Sequence, residues 1–467
     1  MRFRLEAFTA ILLLFFAGPL ATGAPPAWSQ EKPSGQRLNV LFIAIDDLND
    51  WVGCLGGHPQ SQTPNIDRLA SQGVSFTRAY CSAPACNPSR ISLLTGLRPS
   101  TSGVYHNSHP WRPALNHAVT LPMHFRNRGY HVAGRGKIYH GGNTRDPEAW
   151  DDYEFKEGDP KPPNPPVNGI PNAAHFDWGP LEVEDEEMGD TRIALWAEEF
   201  LSKDHEKPFF LACGFVKPHL PWYVPKKYFD LYPTESVTLP TVREDDLEDV
   251  PDMGRHFAKA DTDHKRVIET NNWKRAVAGY LATIRFCDTN VGRVLDALKK
   301  SRYADNTLIV LWGDHGWHLG EKQHWRKFAL WEEATRVPLI FAGPGIPREK
   351  TSGRTVSLLD LSPTLAELCG LPALAQWEAK SFAKLVGDPE AEWDRPAITT
   401  HGRNHHSVRT ERWRYIRYED GGEELYDHEK DPLEWTNLAG DPQFSEVKEK
   451  LAQCLQTVNA PEVSKEN

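Results

Sequence analysis

The sequence predicts an α/β protein with a large, mostly parallel mixed sheet flanked by helices and a smaller α+β subdomain at the C-terminal end. Two observations lead to this fold class. Several nearly continuous apolar runs, rich in β-branched residues, are typical of strands buried on both faces of a sheet. Stretches with helical periodicity separate these runs, as the connections of a parallel sheet require. The 467 residues are enough for one large domain and a smaller companion.

Three apolar runs are expected to form central strands of the sheet. They are residues 38–45, 209–215 and 307–312. The polar residues that follow them are, in the same order, Asp46-Asp47, Lys217-Pro218-His219 and Gly313-Asp314-His315. Because ligands of open α/β sheets bind beyond the carboxyl ends of the strands, these polar side chains are candidates for a functional site.

The remaining segments complete the domain organisation. We predict helices at residues 66–73, 191–202, 273–300 and 358–371, with Asp190 capping the second. Residues 158–190 are rich in proline, asparagine and acidic residues without periodicity, so we expect a long surface loop. The last part of the chain favours short antiparallel strands at 408–410, 413–418 and 423–427, then a helix at 445–458. We therefore expect a main domain, residues 38–387, and a C-terminal subdomain, residues 388–467.

The overall charge restricts the classes of partner. Lysine and arginine number 53 against 64 aspartates and glutamates, which gives a net charge of −11. This sign is wrong for a general binder of nucleic acids. An anionic ligand must therefore meet a local basic pocket.

The N-terminal residues indicate export from the cytoplasm. Two arginines lie within residues 1–4, an apolar run covers residues 7–20, and small residues and prolines follow it. This pattern is typical of a secretory signal peptide, which we assign to residues 1–29. A membrane anchor is the alternative reading of the same run. The signal peptide predicts a secreted or periplasmic protein with no membrane insertion after its removal.

The most informative motif is Cys86-Asn87-Pro88-Ser89-Arg90-Ile91-Ser92-Leu93-Leu94-Thr95-Gly96. Pro88 suits the first turn of a helix and Gly96 suits its C-terminal end, so Cys86 is placed at the helix N-terminus. Free backbone N–H groups there favour an anion, and Arg90 adds a positive charge one turn later. From this pattern alone, Cys86 is either a nucleophile or a small buried residue.

This motif resembles the signature of the Cys-type sulfatases, Cys-x-Pro-Ser-Arg followed by Leu-Thr-Gly, in which the cysteine is oxidised to formylglycine after synthesis. A second element of that family is similar to residues 129–140, with Val132 where serine or threonine is usual. Within the family the chain looks most like the iduronate-2-sulfatase group. That similarity rests on four segments: residues 45–48, residues 217–221, residues 314–321 and residues 409–437.

The resemblance implies the alkaline-phosphatase-like sulfatase fold and a metal site. Asp46, Asp47 and Asp314 offer the hard oxygen ligands that calcium or magnesium prefers. By resemblance, these residues hold one calcium ion together with His315 and the modified Cys86. A formylglycine-generating maturation enzyme is the implied partner. The hydrated aldehyde would supply the hydroxyl that attacks sulfur, its pKa lowered by the metal.

The resemblance also implies the roles of the other catalytic residues. Lys137 and Lys327 are expected to contact the sulfate oxygens, and Arg90 orients the nucleophile. His140 is the expected base and His219 the expected acid that protonates the leaving alcohol. Taken singly, each of these side chains is equally consistent with a surface lysine or a core histidine.

The expected substrate is a sulfated carbohydrate, with the 2-O-sulfate of a uronic acid as the sugar that the resemblance favours. A further set of residues in predicted active-site loops is expected to contact the sugar, although core packing is the commoner use of such side chains. The set comprises Trp317, His318, His106, Asn107, His405 and His406. Two alternatives stay open: a phosphate or phosphonate ester hydrolase on the same scaffold, and a non-catalytic binder of sulfated glycans with unmodified Cys86.

Overall fold

The computed structural model describes residues 37–141, 145–155, 158–173 and 175–464. The predicted signal peptide lies outside the described residues. Within the described ranges, no helix combines the length and the apolar character needed to cross a membrane.

The strands are given first, in chain order. They are β1 (Asn39–Ile45), β2 (Gly73–Tyr80), β3 (His131–Gly136), β4 (Asp152–Glu154), β5 (Trp178–Leu181), β6 (Phe209–Phe215), β7 (Trp222–Pro225), β8 (Thr307–Gly313), β9 (His318–Leu319), β10 (Trp325–Arg326), β11 (Arg336–Val337), β12 (Leu339–Ala342), β13 (Lys350–Ser357), β14 (Ala397–Thr400), β15 (His406–Arg409), β16 (Trp413–Arg417) and β17 (Glu423–Asp427).

The helices that surround the strands are listed in the same way. They are α1 (Pro64–Ser71), α2 (Cys86–Thr95), α3 (Pro99–Ser102), α4 (Trp111–Ala114), α5 (Leu121–Asn127), α6 (Gly189–Ser202), α7 (Lys226–Phe229), α8 (Asp252–Ala258), α9 (Asp263–Glu269), α10 (Trp273–Lys300), α11 (Glu332–Thr335), α12 (Leu361–Leu368), α13 (Ala383–Gly387) and α14 (Ser445–Ala452).

A nine-stranded mixed sheet forms the centre of the main domain. Its order is β11-β2-β12-β8-β1-β6-β3-β4, and β13 pairs with β2 outside this path. The neighbours β8, β1, β6, β3 and β4 run parallel, whereas β12 is antiparallel to both β8 and β2. The predicted large, mostly parallel mixed sheet is confirmed.

Helices cover both faces of this sheet. Successive residues of β1 point to opposite faces, and the residues on both faces are apolar. Leu41, Ile43 and Ile45 pack in one core with α1, α6 and α10. Val40 and Phe42 pack in a second core with α2, α5 and α12. All seven residues of β1 are buried, which explains why the sequence shows a nearly continuous apolar run, interrupted by Asn39.

The C-terminal part contains the predicted smaller subdomain. Strands β14 to β17 form a four-stranded antiparallel sheet in sequential order, and α14 packs against it. The boundary at residues 387 and 388 stays a prediction. Helix α14 ends at Ala452, six residues before the predicted end.

Three local expectations are corrected by the structure. Residues 158–190 are not only a surface loop, because this segment contains β5 and buries Asn168 and Asp177. Asp190 is not a helix cap; it lies inside the first turn of α6, where its carboxylate accepts hydrogen bonds from the backbone N–H groups of Val216 and Lys217, each at 2.8 Å. The predicted helix 358–371 is a 3-10 turn (Leu358–Asp360) followed by α12.

Candidate active site

Four adjacent parallel strands place their terminal residues at one edge of the sheet. The residues are Asp46 and Asp47 after β1, Asp314 and His315 after β8, Lys217 to His219 after β6, and Lys137 after β3. Parallel neighbours end on the same side, so side chains from four distant parts of the sequence meet there.

The turn after β3 depends on two glycines that face each other. Gly136 has φ +82° and a Cβ there would lie 2.1 Å from the carbonyl oxygen of Gly214. A Cβ on Gly214 would lie 2.4–2.6 Å from the backbone of Lys137. Only glycine permits this close approach of the two backbone segments, and the resulting turn directs Lys137 toward the site.

Cys86 is brought to the same edge by helix α2. Ala85 is extended and Cys86 is the first helical residue, so the thiol lies at the helix N-terminus, as predicted. Helix α2 ends at Gly96, which adopts the left-handed conformation with φ +67°. The side-chain hydroxyl of Ser89 donates a hydrogen bond to the carbonyl oxygen of Asp314 at 2.5 Å, which joins the helix to the end of β8.

Three nitrogen groups surround the Cys86 sulfur. The Lys327 Nζ lies 3.1 Å from Sγ, the His315 Nε2 3.3 Å and the Lys137 Nζ 3.7 Å. The sulfur is fully buried. The surroundings of residue 86 are therefore suited to a negative charge on its side chain or on a group bound to it.

The carboxylates pair with cations in a fixed arrangement. The Lys327 Nζ donates to Asp47 Oδ1 at 2.6 Å, and the Lys137 Nζ donates to Asp46 Oδ2. Arg90 bridges two carboxylates, with Nε 2.8 Å from Asp314 Oδ2 and Nη2 3.2 Å from Asp46 Oδ1. These ion pairs are buried, so each charge depends strongly on its partner.

The cluster lowers the pKa of the Cys86 thiol. Burial and the charge of Asp46 would raise this pKa. The positive charges of Lys137, Lys327 and His315 outweigh both effects and hold the pKa well below its ordinary value. The site therefore stabilises an anion at the position of Sγ.

Asp47 and His219 respond differently to their burial. Burial raises the pKa of Asp47 to about 7, although the charge of Lys327 opposes this. Burial lowers the pKa of His219 well below its ordinary value, and the charge of Lys137 adds to the effect. His219 is therefore neutral at pH 7. The positive charge near Asp47 does not fully offset the effect of burial on the pKa of its carboxyl group.

The donor set fits a divalent cation. The ligand atoms of Asp46, Asp47, Cys86 and His219 lie within 4.8 Å of one another, as do those of Asp46, Cys86, Asp314 and His315. Among the described residues, the buried Asp47 Oδ2 has no hydrogen-bond partner. A buried, unpartnered carboxylate oxygen is unfavourable unless a cation or water binds it. The carboxylates are hard ligands of the type that calcium and magnesium prefer.

A cavity of about 290 Å³ lies beside this cluster. It is lined in part by Lys137, His140 and His219, so the three predicted catalytic residues from the β3 and β6 turns share one opening. The buried His140 Nδ1 has no hydrogen-bond partner in the part of the chain that the structure describes. In the tautomer that carries its proton on Nε2, this nitrogen is a free acceptor.

The predicted sugar contacts divide into two groups. Trp317 is 2% exposed and packs in the core, and His318 is fully buried; their contact with a sugar stays a prediction. His106 is 42% exposed and pairs with Glu462, and its contact with a sugar stays a prediction. His405 packs against Phe257 and also stays a prediction.

The remaining two predicted sugar contacts, Asn107 and His406, have hydrogen-bond partners within the protein. The Asn107 side-chain oxygen accepts a hydrogen bond from the backbone N–H of Asn87 at 2.9 Å, which links its loop to helix α2. The His406 Nδ1 lies 2.9 Å from the Thr400 hydroxyl within the C-terminal sheet. Neither contact tests a role in sugar binding.

Sequence reasoning missed Tyr280, which lies in the N-terminal third of α10. Its hydroxyl donates to the carbonyl oxygen of Asp47 at 2.7 Å and accepts from the backbone N–H of Asn49 at 3.1 Å. Asp47 has φ +60°, a strained conformation for a residue with a side chain. Tyr280 therefore stabilises the backbone that aims the Asp47 carboxylate. A tyrosine on an amphipathic helix carries no local signal of this role.

The fold and site together define a hydrolase of anionic esters whose α/β architecture is alkaline-phosphatase-like. The sulfatase family matches residues 38–371, and the C-terminal region of N-sulphoglucosamine sulphohydrolase matches residues 320–461. The chain therefore belongs to the sulfatase family and is a sulfuric ester hydrolase. Within the family it is close to the iduronate-2-sulfatase group.

Individual relatives agree with this assignment. The chain is 42% identical over 457 residues to a sulfatase of Formosa agariphila, which covers 92% of this chain and 89% of the relative. It is 33% identical over 401 residues to the iduronate 2-sulfatase of Mus musculus, covering 76% of this chain and 72% of the relative. A solved structure of a 2-O GAG sulfatase has a TM-score of 0.70 and 26% identity, covering 90% and 91% of the two chains.

Proposed function

We propose that this sulfatase removes sulfate from a sulfated carbohydrate through formylglycine at position 86 and one calcium ion. The observation that carries this proposal is the set of contacts around Cys86. Its Sγ lies within 3.7 Å of Lys137 Nζ, Lys327 Nζ and His315 Nε2, beside three aspartates at adjacent strand ends. A sulfate monoester is an anion, and two buried ammonium groups and a buried imidazole converge at this position.

The residues proposed to hold calcium are Asp46, Asp47, Asp314 and His315, with the modified residue 86. The unpartnered Asp47 Oδ2 and the raised pKa of Asp47 both support a missing positive charge at this point. When bound, the cation would lower the pKa of a hydroxyl on residue 86 and reduce charge repulsion from the sulfate.

Burial of Cys86 supports early maturation. The side chain has no exposed surface, so an enzyme that oxidises it to formylglycine must reach it before the chain is fully folded. This partner and the export that the N-terminal residues predict are part of the same proposal.

The side chains of the site have distinct proposed roles. Lys137 and Lys327 already direct their ammonium groups toward Cys86 Sγ and would contact the sulfate oxygens. The His219 Nδ1 lies 2.5 Å from the carbonyl oxygen of Leu220, which fixes the Nδ1–H tautomer and leaves Nε2 without its proton. Because His219 is neutral before substrate binds, it must first gain a proton at Nε2 and then donate it to the leaving alcohol. His140 Nδ1 would accept the proton released from residue 86.

The relatives support the substrate class. Iduronate 2-sulfatase and the 2-O GAG sulfatase both carry names that specify a 2-O-sulfate. We propose a 2-O-sulfated uronic acid, or a closely related sulfated sugar, as the substrate. The cavity beside His219 would receive the sugar.

Sulfate release from defined saccharides tests the reaction directly. We expect the mature, calcium-loaded protein to release sulfate from a 2-O-sulfated uronic acid and from an aryl sulfate, measured by ion chromatography. The Cys86→Ala variant should keep the far-ultraviolet circular dichroism spectrum of the parent and lose turnover. Parental rates in this variant would contradict the proposed nucleophile.

Two further measurements decide between the alternatives. A large preference for aryl phosphate or phosphonate over aryl sulfate would favour the phosphate or phosphonate ester hydrolase. Mass spectrometry of the peptide that contains residue 86, from protein made in its native host, should show the aldehyde. A thiol in all molecules, together with no turnover, would favour the non-catalytic binder.

A further inference from the structure

The cavity beside the catalytic cluster has the size of a small ligand site. Its volume of about 290 Å³ lies at the lower end of the range of small-molecule pockets, about 300–1,000 Å³, and suits one sugar unit better than a long chain. Lys137 and His219 line it on the catalytic side, and Phe155 and Lys161 line it elsewhere.

Most charges that line this cavity are already paired. Lys137 pairs with Asp46, and the Lys217 Nζ lies 3.4 Å from Asp159 Oδ2. Lys161 is exposed, and it forms no ion pair or hydrogen bond with the described residues. Among the described residues of the lining, Lys161 is therefore the lysine whose charge is uncompensated.

The segment that carries Lys161 is anchored to the site. The Asp159 Oδ1 accepts a hydrogen bond from the backbone N–H of Gly189 at 2.8 Å, and its Oδ2 faces Lys217. Lys217 belongs to the turn that also carries His219. The carbonyl oxygen of Gly158 accepts from the Arg192 guanidinium. Lys161 follows Asp159 by two residues, so its backbone is held at the cavity while its long side chain reaches into solvent.

We propose that Lys161 is a specificity residue that binds the carboxylate of the sulfated uronic acid. This inference rests on the proposed function, because it assigns a second anion to the same substrate. The sulfate binds at Lys137 and Lys327, the leaving oxygen meets His219, and the sugar occupies the cavity with its carboxylate toward Lys161. A flexible ammonium group at a cavity edge suits a carboxylate, to which it donates a charge-assisted hydrogen bond.

The test compares two substrates that differ only at the carboxylate. One is a 2-O-sulfated hexuronic acid, and the other is its carboxyl-reduced form, which keeps the sulfate and carries a hydroxymethyl group. The preference of the calcium-loaded protein for the first, expressed as a ratio of kcat/KM values, should fall about tenfold in Lys161→Gln, mostly through KM. Lys161→Arg should restore most of the ratio, because it keeps the charge.

A matched control separates this effect from a general loss of surface charge. Lys207 is also exposed, but it precedes β6 and therefore lies at the opposite end of that strand from His219. Lys207→Gln should keep the parental ratio. An unchanged ratio in Lys161→Gln, or an equal fall in Lys207→Gln, would overturn the proposal.

A binding measurement keeps the inference independent of turnover. Isothermal titration of the Cys86→Ala protein with both sugars should show tighter binding of the uronic acid, and Lys161→Gln in that background should remove about tenfold of this difference. If the parent releases no sulfate from either ester, the proposed function fails, while the titration still decides the role of Lys161. Equal affinities for both sugars in the Cys86→Ala protein would refute it.

Discussion

The contact between Tyr280 and Asp47 leads to a prediction that separates positioning from stability. In Tyr280→Phe, the carbonyl oxygen of Asp47 loses its 2.7 Å hydrogen bond and the N–H of Asn49 loses its 3.1 Å partner. The tyrosine is fully buried, so water has no direct route to replace the hydroxyl. We expect the backbone of Asp47, which has φ +60°, to relax toward a less strained conformation.

The magnitude follows from the two groups left without partners. Each buried and unsatisfied backbone group costs about 1–3 kcal/mol, and relief of the strain at Asp47 offsets about 1 kcal/mol of the total. The variant should therefore lose about 1–5 kcal/mol of unfolding free energy. A carboxylate displaced by about 1 Å can reduce the rate up to roughly 100-fold, so we expect kcat/KM to fall at least about tenfold. Calcium affinity should fall with it.

Tyr303 provides the matched control. Its hydroxyl donates to the carbonyl oxygen of Lys203 at 2.9 Å and accepts from the N–H of His205 at 2.8 Å, the same pattern as Tyr280. Tyr303 precedes β8 and lies at the opposite end of that strand from Asp314. Tyr303→Phe should lose comparable stability in urea unfolding but keep its calcium affinity, measured by titration where both variants are folded. Equal calcium affinity and kcat/KM in the two variants would refute the positioning role of Tyr280.

Two other predictions concern Gly214, which packs against the Lys137 backbone, and Glu434, which forms buried ion pairs in the C-terminal region. In Gly214→Ala the new Cβ meets the Lys137 backbone at 2.4–2.6 Å, so we expect a loss of about 1–3 kcal/mol by urea unfolding and reduced sulfate release. Gly440→Ala, which meets nothing within 4 Å, is the control, and a parental kcat/KM in Gly214→Ala would contradict the importance of this approach. Burial alone would raise the pKa of Glu434, but Arg414 and His428 lower it to about 2. The carboxylate is ionised in the folded protein down to that pH, so the stability that it contributes is complete above its unfolded pKa of about 4.5 and is lost as the pH falls toward 2. Glu434→Gln should lower the unfolding temperature at pH 7 and flatten its pH dependence between pH 4.5 and 2; a parallel shift at all pH values would argue against the ion pairs.

Sequence reasoning found the strands that are buried on both faces, and this has a physical reason. β1, β6 and β8 are central, so all their residues after the first one are apolar or small. β13 contains Lys350, Arg354 and several threonines and serines, and within the described part of the chain it pairs with β2 alone. Its strand conformation comes from hydrogen bonds to β2. The local sequence pattern of β13 does not predict this long-range pairing.

The same distinction applies to the site. Residues directly after the strands were predictable, because the sheet edge brings them together whatever the loops do. Asp190 and Tyr280 were not, because each acts through hydrogen bonds to backbone groups far away in the sequence.

The balance of charge supports the proposal that the cluster takes up both a divalent cation and an anionic substrate. Asp46, Asp47 and Asp314 face Arg90, Lys137 and Lys327, so the permanent charges of these side chains cancel. His315 adds a positive charge, because against the effect of burial the charge of Asp314 raises its pKa to about 9, and it would lose this proton as a metal ligand. A divalent cation would then leave an excess of two positive charges in a buried place, where an uncompensated charge is costly. A sulfate ester and an ionised residue 86 would each supply one negative charge and together remove that excess. On the proposed function, cation and substrate would therefore stabilise each other, while without them the aspartates are paired with Lys137, Lys327 and Arg90.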